Sequence, residues 1–296
     1  ILEVKNKKHI KNILINKNIK KIMHACKQDL EVLAKHYNCY PKNIFDTQIA
    51  SNILGIDMNI SYANLVKKFF KVNLKKGSWR TNWLERPLSI EKIEYAASDV
   101  KYLVKIYKKL KEKLNIKKRY EWLKEEQNQD LDKKNVIISP ALSWKKINLK
   151  YSLEKTKLDN LKKLCSWRES YAISNNIPKK WALTDNEIMK LLLNKKSSKL
   201  ILKDLQNKLP KKEINIIIPI IEKSYVNPMK NNIRKIPKNY SKLNNRCYDV
   251  LKKVASQYKL SEVFIANKRE IESYSRNDKQ VRFQNGWRYK IFGKLL

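Results

Sequence analysis

The stretch "IEYAASDVKYL", residues 93–103, places Tyr95 and Asp99 one helical turn apart, and therefore on the same face of a predicted helix. Ser89 is a predicted N-cap for this helix. Apolar residues recur around the pair at helical spacing: Ile90, Ile93, Ala97, Val100, Val104 and Leu110. This periodicity predicts an amphipathic helix packed on a core. Taken alone, the stretch favours a packed Tyr95 and a solvated Asp99, because short motifs match by chance.

The composition of the chain indicates a polyanionic binding partner. Among 296 residues, 66 are Lys or Arg and 28 are Asp or Glu, which gives a formal net charge of +38. A field this positive attracts nucleic acid, which is therefore the leading class of partner. Lys, Ile and Asn are abundant in apolar stretches and loops alike, so part of the lysine excess reflects compositional drift rather than binding.

The cysteines and histidines argue against a disulfide framework or a zinc site. The four cysteines are scattered without a Cys-x-x-Cys pair, as expected for reduced thiols in a cytoplasmic protein. The three histidines are too few and too dispersed for a histidine-based metal site. The apolar run "INIIIPII" (214–221) is too short for a membrane span and is broken by Pro219. We therefore expect a cytoplasmic protein without a membrane partner.

The pattern of predicted elements changes along the chain. Residues 1 to about 115 alternate short apolar runs with helical patterns, which is typical of an α/β domain. Residues 18–25 are a predicted strand followed by a helix, and residues 43–55 are a predicted strand and a helix capped by Asp46 and ended by Gly55. From about residue 151 onwards, helical patterns separated by Pro and Asn predominate. The predicted domains are 1–140, 141–230 and 231–296.

Asp29 follows the first predicted strand, at the start of a helix, in "MHACKQDLEVL" (23–33). One interpretation is an acid that interacts favourably with the N-terminus of its helix. The other is a metal ligand at the C-terminal edge of a strand, where α/β sheets carry their sites. Neither Asp29 nor Asp99 decides between these interpretations alone, so the sequence between them has to be considered as well.

Four phrases, in order and at natural spacing, resemble those of ribonuclease D, a family in the DEDD superfamily of 3′-to-5′ exonucleases. The last of them has the Tyr-x-x-x-Asp form that marks the tyrosine branch of this superfamily. Further along, residues 161–192 resemble the first of the helical HRDC domains that follow the nuclease, and residues 263–296 resemble the closing segment of the family. The four phrases are "HACKQDLEVL" (24–33), "FDTQIA" (45–50), "YANLVKKFFKVNLKKGSWRTNWLERPLS" (62–89) and "YAASDVKYL" (95–103).

The resemblance implies a ribonuclease H-like (DnaQ-like) α/β exonuclease domain, incomplete at its N-terminus, followed by all-α helical HRDC domains. It implies an exoribonuclease that trims RNA 3′ ends, with tRNA precursors and other small structured RNAs as substrates and nucleoside 5′-monophosphates as products. Hydrolysis would use two divalent metal ions per site, Mg²⁺ or Mn²⁺, held by carboxylates. RNA is the implied partner, and no obligate protein partner is expected.

Carried over residue by residue, the motifs assign Asp29 and Asp99 as catalytic metal ligands and Tyr95 as a catalytic residue beside them. The phenol of a free tyrosine has a pKa of about 10, so orienting the attacking water suits Tyr95 better than acting as a base. For Trp83, stacking on a base and fastening its loop to the core are equally good interpretations. Contacts with RNA are expected from His24, Gln28, Arg80, Trp83 and Arg86.

The sequence departs from the family pattern in its first motif. No strand with Asp-x-Glu precedes Asp29, and "FDTQ" (45–48) carries Gln48 where a glutamate would stand. Asp46 is therefore interpreted as a helix cap. Because the chain begins at Ile1 without a methionine, we expect the missing carboxylates upstream, and we expect the 296 residues by themselves to be inactive.

The missing motif leaves a competing hypothesis open, namely a non-catalytic RNA-binding protein that retains the nuclease scaffold. The sequence upstream of Ile1 distinguishes the two, because a strand with Asp-x-Glu supports the enzyme and a start codon supports the binding protein. Asn82 also replaces an acid that the family carries in this loop, so the role of the loop stays open.

Overall fold

The computed structural model describes residues 6–74, 82–137, 139–147, 149, 153–225, 237, 239–277 and 280–296, apart from the side chains of 195–198. Contacts divide the chain into two compact units. Unit 1 comprises Ile1–Val136 together with Ile236–Leu296, and unit 2 comprises Ile137–Lys235. Residues 236–296 thus share a compact unit with the nuclease phrases. Their assignment to a second HRDC-like domain stays a prediction.

The first part of unit 1 has the predicted α/β character. Its two described strands are three residues long and pair in parallel, with Ile22 opposite Phe45. Parallel neighbours need a crossover connection, which the helix between them provides. The elements are α1 (Lys7–Ile15), β1 (Lys21–Met23), α2 (Lys27–Tyr37), β2 (Ile44–Asp46), α3 (Thr47–Leu54), α4 (Tyr62–Phe70), α5 (Ile90–Lys101), α6 (Leu103–Ile116), α7 (Tyr120–Asp130) and α8 (Lys133–Val136).

Three local signals place helix ends where the sequence predicts them. The Asp46 carboxylate accepts hydrogen bonds from the backbone N–H groups of Gln48 and Ile49, so it caps α3. Ser89 caps α5 through the N–H of Lys92. Gly55 ends α3 with a φ of 68°, a left-handed conformation that favours glycine. A Cβ there would also lie 1.8 Å from the carbonyl oxygen of Lys259. The close approach of the C-terminal segment to this turn therefore requires a glycine at position 55.

Helix α5 departs from its prediction. Its apolar stripe was expected to pack on a core, yet the side chains of Ile90, Ile93, Val100 and Val104 are 54–73% exposed. Of the stripe, Leu110 on α6 is fully buried. Helix α6 packs on α3 and β1, whereas none of the described residues of α5 itself is buried. The prediction fails because periodicity shows which face is apolar, but not whether another element covers it.

Unit 2 is helical, as the sequence predicts for this region. A short 3₁₀ segment, Pro140–Lys146, packs on its first long helix. The last helix of unit 2 continues through Pro219, at the loss of the one backbone hydrogen bond that an N–H at this position would donate to the Asn215 carbonyl. The helices are α9 (Lys155–Ser174), α10 (Lys179–Ala182), α11 (Asp185–Leu193), α12 (Lys195–Lys208) and α13 (Lys211–Glu222).

The core of unit 2 is formed by aliphatic side chains of α9, α11 and α13. Arg168 is buried beside it, where its guanidinium donates to the Leu183 carbonyl and pairs with Asp185 at 2.7 Å. Thr184 and Glu187 form a capping box at the start of α11. The buried core includes Leu161, Leu164, Cys165, Ile188, Leu191, Leu192 and Ile217.

The C-terminal part of unit 1 is also helical. Among the described residues, no helix is long and apolar enough to cross a membrane. The helices are α14 (Tyr240–Tyr258), α15 (Glu262–Ile265), α16 (Lys268–Ser275) and α17 (Gly286–Ile291).

A buried polar cluster joins α17 to α7 within unit 1. The Arg288 guanidinium donates two hydrogen bonds to the Glu126 carboxylate, at 2.5 and 2.7 Å, and both side chains are 2% exposed. The indole N–H of Trp287 donates to the same carboxylate at 3.1 Å, and its ring stacks on Trp122 at 4.9 Å. Arg288 also donates to the Phe264 carbonyl. Every charge in the cluster is therefore paired.

Removing one partner of this cluster should destabilise the protein strongly. In Glu126→Ala, the Arg288 guanidinium stays buried without its counter-ion, a change that typically costs about 3–5 kcal/mol. We expect a loss of this size in the free energy of unfolding, measured by urea denaturation. Glu121→Ala is the matched control, since Glu121 is exposed on the same helix and its pair with Lys124 is worth at most about 1 kcal/mol. Equal effects of the two changes would contradict the prediction.

Candidate active site

Asp29 lies in the first turn of α2, just after the C-terminal end of β1. The turn before it is fixed by Asp46, whose carboxylate accepts from the backbone N–H groups of Ala25 at 3.1 Å and Cys26 at 2.8 Å. Asp46 therefore holds two segments at once, the turn before α2 and the start of α3. Asp29 is exposed as a whole residue. Partial desolvation of its carboxyl, and then the negative charge of Asp46, raise the pKa of this carboxyl.

Asp99 lies near the end of α5, one turn after Tyr95. Partial burial raises the pKa of its carboxyl. Among the described residues, no Lys or Arg side chain forms an ion pair with Asp29 or Asp99. Two carboxyl groups with raised pKa values and no cationic partner are expected at a site where a bound cation supplies the positive charge.

Tyr95 is half-buried, and its ring lies 6.0 Å from that of Trp83. Trp83 belongs to the loop before α5, where Lys92 holds the loop by donating to the Asn82 carbonyl and pairing with Glu85. Trp83 is nevertheless 37% exposed. It thus packs on Tyr95 and still offers a free surface, which leaves both interpretations of this side chain open.

The other predicted RNA contacts have different surroundings. Gln28 is exposed in the first turn of α2, next to Asp29. Arg86 is exposed, and its guanidinium donates to the backbone carbonyls of Trp83 and Glu85. Arg80 lies outside the described residues. No contact of Gln28 or Arg86 shows whether it binds RNA, so these assignments stay predictions.

His24 follows β1, and both of its ring nitrogens are engaged within the protein. Nε2 lies 3.0 Å from the Ile60 carbonyl oxygen, and Nδ1 lies 2.8 Å from the Thr47 hydroxyl. Burial lowers the pKa of the imidazole, so the neutral form is favoured at neutral pH. A carbonyl only accepts, so Nε2 carries the proton that bonds to Ile60, while the Thr47 hydroxyl beside Nδ1 donates to the Met23 carbonyl at 3.0 Å. Only the ring faces and edges of His24 remain for the predicted contact with RNA.

Two residues of this region were missed by sequence reasoning. Tyr62 packs edge-on against His24 at 5.9 Å, and its hydroxyl bonds to backbone groups of Ser98 and Tyr102. Thr47 is fully buried. The partners of Tyr62 lie 36 and 40 residues away along the chain, so no local pattern marks its role.

Comparison with known proteins identifies the family. Residues 2–115 match a family model described as a 3′-5′ exonuclease. The ribonuclease D of Bartonella henselae is 30% identical over 294 residues, covering 96% of this chain and 72% of the relative. The chain belongs to the ribonuclease D family. The ribonuclease D of Jannaschia sp. is 27% identical over 300 residues, covering 94% of this chain and 74% of the relative.

A solved ribonuclease D has the same fold. The crystal structure of Escherichia coli RNase D, described as an exoribonuclease involved in structured RNA processing, superposes with a TM-score of 0.75 at 24% identity. The match covers 97% of this chain and 80% of that one. The predicted DnaQ-like exonuclease fold and the class of enzyme, a ribonuclease D-like 3′-to-5′ exoribonuclease, are therefore confirmed.

Exonucleases of this fold use divalent metal ions. Asp29 and Asp99 fit this use, because carboxylate oxygens are ligands that Mg²⁺ and Mn²⁺ prefer, and neither side chain is neutralised by a described cationic residue. No group of three or more His, Cys, Asp or Glu side chains that could hold a metal occurs in the described part of the chain.

Proposed function

We propose that this ribonuclease D-family protein removes nucleotides one at a time from the 3′ ends of tRNA precursors and other small structured RNAs. The products would be nucleoside 5′-monophosphates, and the location the cytoplasm, where the four free cysteines would stay reduced. The observation that carries the proposal is the pair of motif carboxylates, Asp29 and Asp99, which have no described counter-ion, in a chain of the ribonuclease D family.

Asp29 and Asp99 would hold the metal ions together with carboxylates beyond the described residues. Two Mg²⁺ or Mn²⁺ ions per site would lower the pKa of a bound water and stabilise charge on the leaving oxygen. The hydrogen bonds from Ala25 and Cys26 to Asp46 keep the turn before Asp29 in one conformation. The Asp29 carboxylate is therefore already positioned before RNA binds.

Tyr95 would orient the attacking water through its phenol hydroxyl. Its ring is held on one side by Trp83, which restricts the positions open to the hydroxyl. His24, Gln28, Arg80, Trp83 and Arg86 are proposed to contact the RNA near its 3′ end. The net charge of +38 would draw the RNA to the protein by attraction to its phosphates.

Because family membership gives the class of enzyme and not the activity of each member, a non-catalytic RNA-binding protein that keeps the nuclease scaffold is the second candidate. The observation that favours it is that the described residues contain no group of three potential metal ligands. In that case the scaffold and its positive charge would bind RNA without cutting it.

Incubating the full gene product with 5′-labelled RNA distinguishes the two functions. In Mg²⁺ we expect a ladder of fragments shortened from the 3′ end, with nucleoside 5′-monophosphates released, because each cut leaves the phosphate on the departing nucleotide. Chelation of the metal by EDTA should stop the reaction while RNA binding persists. RNA that is bound but stays intact in Mg²⁺ and in Mn²⁺ would establish the non-catalytic alternative.

A further inference from the structure

The hydroxyl of Tyr62 interrupts the backbone ladder between α5 and α6. It accepts from the N–H of Tyr102 at 3.0 Å and lies 3.1 Å from the carbonyl oxygen of Ser98, to which it donates. In a continuous α-helix these two backbone groups, four residues apart, would bond directly to each other. Helix α5 ends at Lys101 and α6 begins at Leu103. A side chain inserted into the ladder is a known cause of a helix break.

The ring of Tyr62 contacts the segment between β1 and Asp29. Its ring packs edge-on against the imidazole of His24, the residue that follows β1. His24 is held in turn by Thr47 and by the Ile60 carbonyl, and Ile60 lies just before α4, the helix that carries Tyr62. Tyr62 therefore contacts both segments that carry the motif carboxylates, the segment of Asp29 through its ring and the segment of Asp99 through its hydroxyl.

We infer that Tyr62 is a positioning residue of the candidate active site, because it breaks the helix at Tyr102, within one turn of Asp99, and fixes that turn relative to the end of β1. This inference rests on the proposed function, since it assigns Tyr62 to the site of Asp29 and Asp99. Without the hydroxyl, the Tyr102 N–H can bond directly to the Ser98 carbonyl, α5 can run on into α6, and the Asp99 carboxylate moves with it.

The test compares Tyr62→Phe with Tyr40→Phe in the full gene product. Both changes delete a phenol hydroxyl that donates to a backbone carbonyl in unit 1, since Tyr40 donates to the Leu131 carbonyl at 2.7 Å. A ligand displaced by about 1 Å lowers the rate by up to about 10²-fold. For Tyr62→Phe we expect kcat to fall about 10- to 10²-fold at unchanged KM for RNA, and Mn²⁺ affinity, measured by electron paramagnetic resonance, to fall as well. Tyr40→Phe should leave kcat and Mn²⁺ affinity at the wild-type level.

Thermal unfolding separates positioning from stability. Both variants should lower Tm by only a few degrees, because Tyr40→Phe leaves one backbone carbonyl without its donor, and the two backbone groups freed in Tyr62→Phe can bond to each other. Equal kcat and equal Mn²⁺ affinity in the two variants, with an active wild type, would overturn the inference. If the wild type neither cuts RNA nor binds Mn²⁺, the proposed function itself fails, and amide hydrogen exchange decides. Altered exchange at residues 98–102 in Tyr62→Phe alone then supports the helix break, and unchanged exchange refutes it.

Discussion

Replacing Asp99 by asparagine is expected to reduce RNA hydrolysis by the full gene product to near background, even in ample Mg²⁺. Asparagine keeps the shape of the side chain and removes the charge that a divalent ion requires of its ligand. No described Lys or Arg pairs with Asp99, so the change breaks no ion pair there. Folding should therefore be nearly unaffected, and the loss should lie in metal binding and turnover, measured by Mn²⁺ titration and by single-turnover kinetics.

Asp57→Asn is the matched control for this change. Asp57 is also an exposed carboxylate in unit 1, but it pairs with Lys68 at 2.7 Å and belongs to none of the nuclease motifs. It should leave turnover at the wild-type level. A wild-type rate of hydrolysis in Asp99→Asn would contradict the assignment of Asp99 as a metal ligand. Asp99 would then be a solvated surface charge, as the helix pattern alone suggests.

Replacing Tyr95 by phenylalanine is expected to lower kcat by about 10²–10⁴-fold, the size of an acid–base or water-orienting contribution. Phenylalanine keeps the ring that packs beside Trp83 and deletes only the hydroxyl. RNA binding and Mn²⁺ affinity should stay close to the wild-type values, because the hydroxyl acts on the attacking water and not on the ligands of the metal. Steady-state kinetics and equilibrium binding measure the two quantities separately.

Tyr107→Phe controls for the loss of a phenol from a half-buried ring in the same unit. Tyr107 lies on α6, outside the four phrases, and packs edge-on against Phe45 at 4.7 Å. We expect wild-type kcat in this variant. Wild-type kcat in Tyr95→Phe as well would show that Tyr95 serves only as packing, and the assignment of Asp29 and Asp99 would stand unchanged.

Local signals in the sequence were enough to predict both ends of α3, the start of α5 and the two strands. Asp46, Ser89 and Gly55 end or begin a helix through backbone groups within four residues of themselves, so each of these helix ends can be predicted from the local sequence. The apolar stripe of α5 fails as a predictor because burial depends on a second element. The same limit applies to the candidate site. The sequence marks Asp29, Tyr95 and Asp99 as motif residues, but it does not show which other elements contact them.

What sequence reasoning could not supply are the contacts that hold those phrases in place. The clamp of Asp46 on Cys26 spans 20 residues, and the bridge from Tyr62 to Tyr102 spans 40. Neither partner has a side-chain type or a spacing that marks it. Such contacts depend on how the elements pack, and packing emerges only from the fold as a whole.

The ion pair between Glu126 and Arg288 joins residues 162 positions apart. A ribosome that adds about 5–20 residues per second makes the second partner about 8–30 s after the first. During that interval Glu126 has no guanidinium to neutralise it, and the face of α7 that carries it cannot be closed. All of the nuclease phrases have left the ribosome by then, since the last ends at residue 103. The buried pair on α7 therefore closes only after translation has passed Arg288, so unit 1 cannot complete its fold until nearly the whole chain has been made.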